Sequence, residues 1–212
     1  MKRNLSAIAL GLVLAYAATP VMADVATVTQ NGSDSVTVDQ TSSISATVVV
    51  DQKGSGANTI HWLKQTGSVN DANMTQDGDA NQAWLDQKST SGNNYNTLTM
   101  TQTGNGNIIG LDQTSAYGYN YAALSQSGNS NYANLIQKSR LNYSWVSLEQ
   151  TDGGNSATLN QDSTSGYSSA TLVQKGGGNE LTLLQSVAGN NIGTITQTGG
   201  ENYAYINQHK PQ

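Results

Sequence analysis

Residues 96–137 read NTLTMTQTGNGNIIGLDQTSAYGYNYAALSQSGNSNYANLIQ. Four times in this stretch an Asn, a small or apolar residue, an aliphatic or Met, and a Gln follow one another at steps of two: Asn96-Leu98-Met100-Gln102, Asn107-Ile109-Leu111-Gln113, Asn120-Ala122-Leu124-Gln126 and Asn131-Ala133-Leu135-Gln137. A step of two is the period of a β-strand and puts all four side chains on one face, whereas a helix would scatter them.

Working outward, the same unit runs along the chain. Sixteen glutamines recur at spacings of 10 to 15 residues, from Gln30 and Gln40 through Gln76 and Gln87 to Gln197 and Gln208, each preceded two positions earlier by Val, Leu, Ile or Met. Ten units carry Asn six positions before the Gln: Asn70, Asn81, Asn96, Asn107, Asn120, Asn131, Asn155, Asn179, Asn191 and Asn202. The first two units have Asp24 and Asp34 there. Such self-similarity is the signature of a repeat architecture. The alternate face holds charged and hydroxyl residues with Trp62, Trp84, Tyr121, Tyr132, Trp145, Tyr203 and Tyr205, so the Asn/Gln face is expected to be a thin interior, with His61 its titratable exception.

From Gln76 onward, short and longer gaps between glutamines alternate. Short connections usually have Gly two residues after the Gln, as at Gly78, Gly104 and Gly128, where a tight arc needs positive φ. Most longer ones have Ser there. The expected fold is therefore all-β: a β-solenoid of eight strand-arc-strand repeats, residues 24–208, whose first and second strands form two parallel stacked sheets. Rungs lie about 4.8 Å apart and the sheets about 10 Å apart. Interior amides are expected to bond to their counterparts above and below, an interior ladder of Asn70, Gln76, Asn81, Gln87, Asn96, Gln102, Asn107, Gln113, Asn120, Gln126, Asn131 and Gln137. The two end rungs lack such partners and should act as templates.

Residues 1–23 combine Lys2 and Arg3, an apolar run from Ala7 to Ala18 and a small-residue end, which reads as a secretory signal peptide. Residues 209–212 form a short C-terminal tail. Without the signal the chain carries seven basic and fourteen acidic side chains, a net charge of −7 that disfavours a nucleic-acid partner. There is no Cys, so stability rests on stacking. With two His and no phosphate loop or metal-ligand spacing, no catalytic site, metal, cofactor or small-molecule substrate is expected. On the outer face the second-strand column runs Asp39, Lys64, Asp86, Asp112. The adjacent like charges Asp86 and Asp112 are candidate gatekeepers that slow premature stacking.

The paired units 96–113, 120–137 and 191–208 (NIGTITQTGGENYAYINQ) resemble the curlin repeat of bacterial curli fibres, over essentially all of residues 24–208. The resemblance implies a major-subunit-like structural protein, secreted by a Gram-negative bacterium with the help of periplasmic chaperones and an outer-membrane pore. It implies polymerisation at the cell surface, begun on a related nucleator subunit, into functional amyloid for biofilm and adhesion. It also implies polymerisation ends at Gln30 and Gln40 on one side and Asn191, Gln197, Asn202 and Gln208 on the other. Two alternatives remain open at this level: a soluble adhesin binding polysaccharide or host matrix through its outward aromatics, or the minor nucleator of the same fibre.

Overall fold

The structure, a computed structural model, describes residues 12–15, 25–41, 45–67, 69–90, 95–140, 143–165, 167–188 and 191–209. In chain order the strands are β1 (Leu12–Ala15), β2 (Val25–Asn31), β3 (Ser35–Thr41), β4 (Ala46–Lys53), β5 (Thr59–Thr66), β6 (Asn70–Asp77), β7 (Gln82–Ser89), β8 (Tyr95–Thr103) and β9 (Ile108–Ser115). They continue with β10 (Tyr119–Ser127), β11 (Tyr132–Ser139), β12 (Ser144–Thr151), β13 (Ser156–Ser165), β14 (Ser168–Lys175), β15 (Glu180–Ala188), β16 (Asn191–Thr198) and β17 (Tyr203–His209).

Every pairing skips one strand. The even-numbered strands β2 to β16 form an eight-stranded parallel sheet, and the odd-numbered strands β1 to β17 form a nine-stranded one. Each consecutive even-odd pair from β2/β3 to β16/β17 is one rung, so the chain is a β-solenoid of eight rungs, as the repeat predicts. Register is set by the motif. Gln102 pairs with Gln126, Gln126 with Gln150 and Gln150 with Gln174, so identical side chains lie over one another. A one-residue slip would turn this face to solvent, which is why the register holds from rung to rung.

The interior is as thin as the sequence implies. Met74, Leu85, Leu98, Met100, Leu135, Leu148 and Leu172 are fully buried in one continuous core between the sheets. Short arcs turn on a positive-φ residue two places after the Gln. Gly104 has φ 103°, and a Cβ there would run into the carbonyl oxygen of Gly128 one rung on. Asp152 takes this position in the sixth rung with φ 71°.

Two features depart from the expectation. His61 is solvent-exposed, because the ladder shifts register between Ile60 and Trp62 and the extra residue is expelled from the interior. Ile60 fills the core position instead, and His61 stacks on Trp84 with ring centroids 4.4 Å apart. The same extra residue moves the Asn of that rung to Asn58, outside the six-residue spacing. Secondly, β1 comes from within the segment read as a signal peptide. It pairs parallel to β3, Leu12 with Val36 through Ala15 with Asp39, and so covers one of the two free strand edges of the first rung. His209, expected to open the tail, is instead the last residue of β17 and pairs with Ser186, while Asp24, the rest of residues 1–23, residues 210–212 and the side chain of Asn191 lie outside the described part.

Candidate functional site: amide ladders and end faces

Strict stacking converts the repeated glutamines into two hydrogen-bonded columns. In the even-numbered sheet each Gln donates Nε2 to Oε1 of the next rung, from Gln30 through Gln52, Gln76, Gln102, Gln126, Gln150 and Gln174 to Gln197, at 2.7–3.0 Å. The odd-numbered sheet repeats this from Gln40 through Gln65, Gln87, Gln113, Gln137, Gln161 and Gln185 to Gln208, at 2.7–3.2 Å. In many rungs the second amide hydrogen reaches a backbone carbonyl of the facing sheet, as from Gln102 to Gln82 at 3.2 Å and from Gln150 to Tyr132 at 3.0 Å. Buried amides are tolerated because both donors are used; an unmatched one costs about 1–3 kcal/mol.

The asparagines behind the short arcs form a third column that runs in the opposite sense. Asn107 gives its backbone N–H and its Nδ2 to Oδ1 of Asn81, at 3.0 and 3.1 Å, and Asn131 does the same to Asn107, at 3.1 and 3.1 Å. The column continues through Asn155 and Asn179 to Asn202. Its first member is Asp34, whose Oδ1 accepts from the Asn58 N–H at 2.9 Å.

The asparagines behind the longer arcs are less well supported. Asn96 donates to Asn70 at 3.1 Å and Asn120 to Asn96 at 3.3 Å, but Nδ2 of Asn70 and Oδ1 of Asn120 are buried without a partner. Beyond Asn120 the column passes to Ser144 and Ser168, whose buried hydroxyls are also unpartnered. Of the expected interior ladder, the glutamines and the short-arc asparagines form columns that run through the stack, whereas Asn70, Asn96 and Asn120 form a three-rung column with an unpartnered group at each end.

Because each column has a direction, the two ends of the molecule differ. The first rung offers acceptors: Oε1 of Gln30 is buried and unpartnered, and no earlier Gln donates to Gln40. The last rung offers donors: Nε2 of Gln197 and of Gln208 each bond one carbonyl, Glu180 at 3.0 Å and Ile192 at 3.3 Å, leaving one hydrogen over. Gln30, Gln40, Asn202 and Gln208 are half-buried, where their counterparts in the middle of the stack are fully buried.

On the outer faces, Asp39, Lys64, Asp86 and Asp112 stand in register on successive rungs. Asp86 is half-buried, and burial together with the charge of Asp112 holds its carboxyl above the usual carboxylate range against the opposing pull of Lys64 and Lys88. A further feature escaped the reading of the repeat. Tyr95, Tyr119, Tyr143 and Tyr167 stack at centroid distances of 4.9, 5.0 and 5.4 Å with planes within 8° of parallel, and Tyr121 stacks on Trp145 at 4.1 Å. The four tyrosines each lie seven positions before a repeat Gln, the spacing that could have revealed them.

The class of protein so defined is a two-sheet parallel β-solenoid with polar amide columns and unlike ends. Comparison with protein-family models, with curated proteins and with solved structures returned no match.

Proposed function

We propose that this chain is a secreted structural subunit that self-assembles by end-to-end rung stacking into extracellular, curli-like amyloid fibres serving biofilm cohesion and adhesion, without catalytic activity. The observation that carries this reading is the complementarity of the ends. An unpartnered acceptor, Oε1 of Gln30, lies at one end, and spare amide hydrogens on Gln197 and Gln208 lie at the other. A second copy placed one rung beyond would continue both glutamine columns and both sheets, removing every exposed strand edge except those at the fibre tips.

On this reading the partners are other copies of the chain, a related nucleator, and the chaperones and pore of export. Removal of residues 1–23 at the cell envelope would strip β1 from β3 and open the first rung. The carboxylates of Asp86 and Asp112 oppose stacking of their rungs and so act as gatekeepers.

One observation favours the adhesin alternative. The exposed ladder of Tyr95, Tyr119, Tyr143 and Tyr167 is a regular aromatic surface beyond anything stacking requires. Size-exclusion chromatography of freshly desalted chain separates the two. A fibre subunit elutes as monomer and then converts to thioflavin-positive fibres; a chain that remains a folded monomer indefinitely is the adhesin.

A further inference from the structure

Asp34 is the one carboxylate among the described residues that is almost wholly buried, at 2% exposure, and its Oδ2 has no partner. It occupies the first seat of the short-arc asparagine column. In later seats the side chain supplies donors: Asn131, for example, gives Nδ2 to Oδ1 of Asn107 at 3.1 Å and to the carbonyl of Asp152 at 2.8 Å. Asp34 has no amide hydrogens to give. At the other end, Asn202 bonds back to Asn179 through its N–H and Nδ2, at 3.2 and 2.8 Å, and its Oδ1 faces the empty seat of the next rung.

We propose that Asp34 controls the rate at which one copy adds to another, because the joint between copies sets its acceptor oxygens against Oδ1 of Asn202. This rests on the end-to-end stacking reading above. At the joint both glutamine columns continue donor to acceptor, and the backbone N–H of Asp34 can still bond Asn202. The Nδ2 to Oδ1 bond that every step from Asn81 on Asn58 onward makes is replaced by two facing acceptors. The joint is thus the weakest rung of the fibre by construction. A free monomer gains less from its first contact with a fibre tip than the repeat alone would give, which keeps addition slower than stacking within one chain.

Seeded elongation tests this as a two-by-two set: the chain itself, Asp34→Asn, Asn202→Ala and the double variant, each elongating seeds of its own kind. Each is prepared with and without residues 1–23; the shorter form keeps all sixteen rung strands. Asp34→Asn is expected to elongate about tenfold faster, and that gain is expected to shrink below about twofold when Asn202 is Ala. Working within each background cancels any loss that Asn202→Ala causes in its own rung. An equal gain in both backgrounds overturns the proposal, since Asp34 would then act inside its own chain. No gain in either also overturns it while leaving stacking intact. If none of the four chains elongates seeds in either form, the stacking reading fails and the proposal with it.

Discussion

The short arcs and the long arcs join the same two sheets with the same strand motif, yet they are built to different standards. In a short arc the whole connection stacks. Gly104 N–H bonds Asp77 O and Gly106 N–H bonds Asp79 O, both at 2.9 Å, so the sheet ladder continues around the bend. Asn107 then ties three levels together, with Nδ2 reaching Asn81 Oδ1 at 3.1 Å, Thr103 O at 3.2 Å and Gly128 O at 2.8 Å. A long arc also begins by stacking, with Thr90 N–H on Ser115 O at 3.0 Å and Ala116 N–H on Ser139 O at 2.9 Å, but its asparagine column is different. Ser115 Oγ bonds Gly118 O within its own arc at 2.9 Å, and the asparagine column beside it gives way to serine after Asn120. The short-arc side therefore carries a continuous side-chain column from rung to rung, whereas on the long-arc side that column passes from asparagine to unpartnered serine.

The largest effect should come from breaking the short-arc column. Asn107→Ala removes the partner of the Asn131 N–H and Nδ2 and frees carbonyls in two arcs, so the unfolding free energy should fall by about 3 kcal/mol. Denaturant unfolding followed by far-UV circular dichroism reads this directly. The matching long-arc change, Asn120→Ser, should cost no more than about 1 kcal/mol in the same assay, because Ser already fills the next two seats and Asn120 Oδ1 has no bond to lose. Equal losses at the two sites would remove the distinction between the arcs.

A smaller effect sharpens the same contrast at the turns. Gly104→Ala imposes a side chain at φ 103° and against the Gly128 carbonyl, and should lower stability by about 2 kcal/mol. Ser89→Ala, two places after Gln87 where a long arc begins, removes a buried hydroxyl with no hydrogen-bond partner and should change it by less than about 0.5 kcal/mol. Thermal melts of the two variants side by side give the comparison.

The smallest effect concerns the outer charges. Because the carboxyl of Asp86 titrates above its ordinary range in the folded chain, the folded state holds the proton more firmly than the unfolded one. Its contribution favours folding fully below the ordinary carboxylate range and is lost as pH rises through the elevated folded value. Asp86→Asn should flatten this part of the stability profile and raise stability at neutral pH by no more than about 1 kcal/mol. Unfolding midpoints measured across the acid range for both chains would show it, and an unchanged slope would mean that Asp86 titrates alike in both states.

Much of this was legible in the chain because a solenoid repeats its own answer. The period of two fixed the strands, the alternating gaps fixed which strands share a sheet, and the glutamine spacing fixed the register; Asp39, Lys64, Asp86 and Asp112 fall into one column as their positions require. What was lost lies where the repeat is interrupted. A single extra residue at the bulge expels His61 and displaces Asn58, and periodicity counted from the Gln cannot register such a shift. Column direction was also invisible, since a Gln gives no sign of whether its donor points up or down the stack. The pairing of Leu12–Ala15 with β3 follows from an unfilled strand edge, which only the folded rung creates.

The central claim is that equivalent residues of successive rungs sit directly over one another in parallel. Thr99 and Ala123 are outward-facing register partners 24 residues apart, and Ser147 is the next in the same column. The chain has no cysteine of its own, so Thr99→Cys combined with Ala123→Cys gives a clean pair. Adjacent strands stand about 4.8 Å apart, within reach of a disulfide, whereas two rungs span about 9.6 Å and are out of reach. Mild oxidation of the dilute chain should close the Thr99/Ala123 pair nearly completely and leave a Thr99/Ser147 pair reduced. Equal closure of both pairs, or of neither, would contradict the stacked register on which the whole account depends.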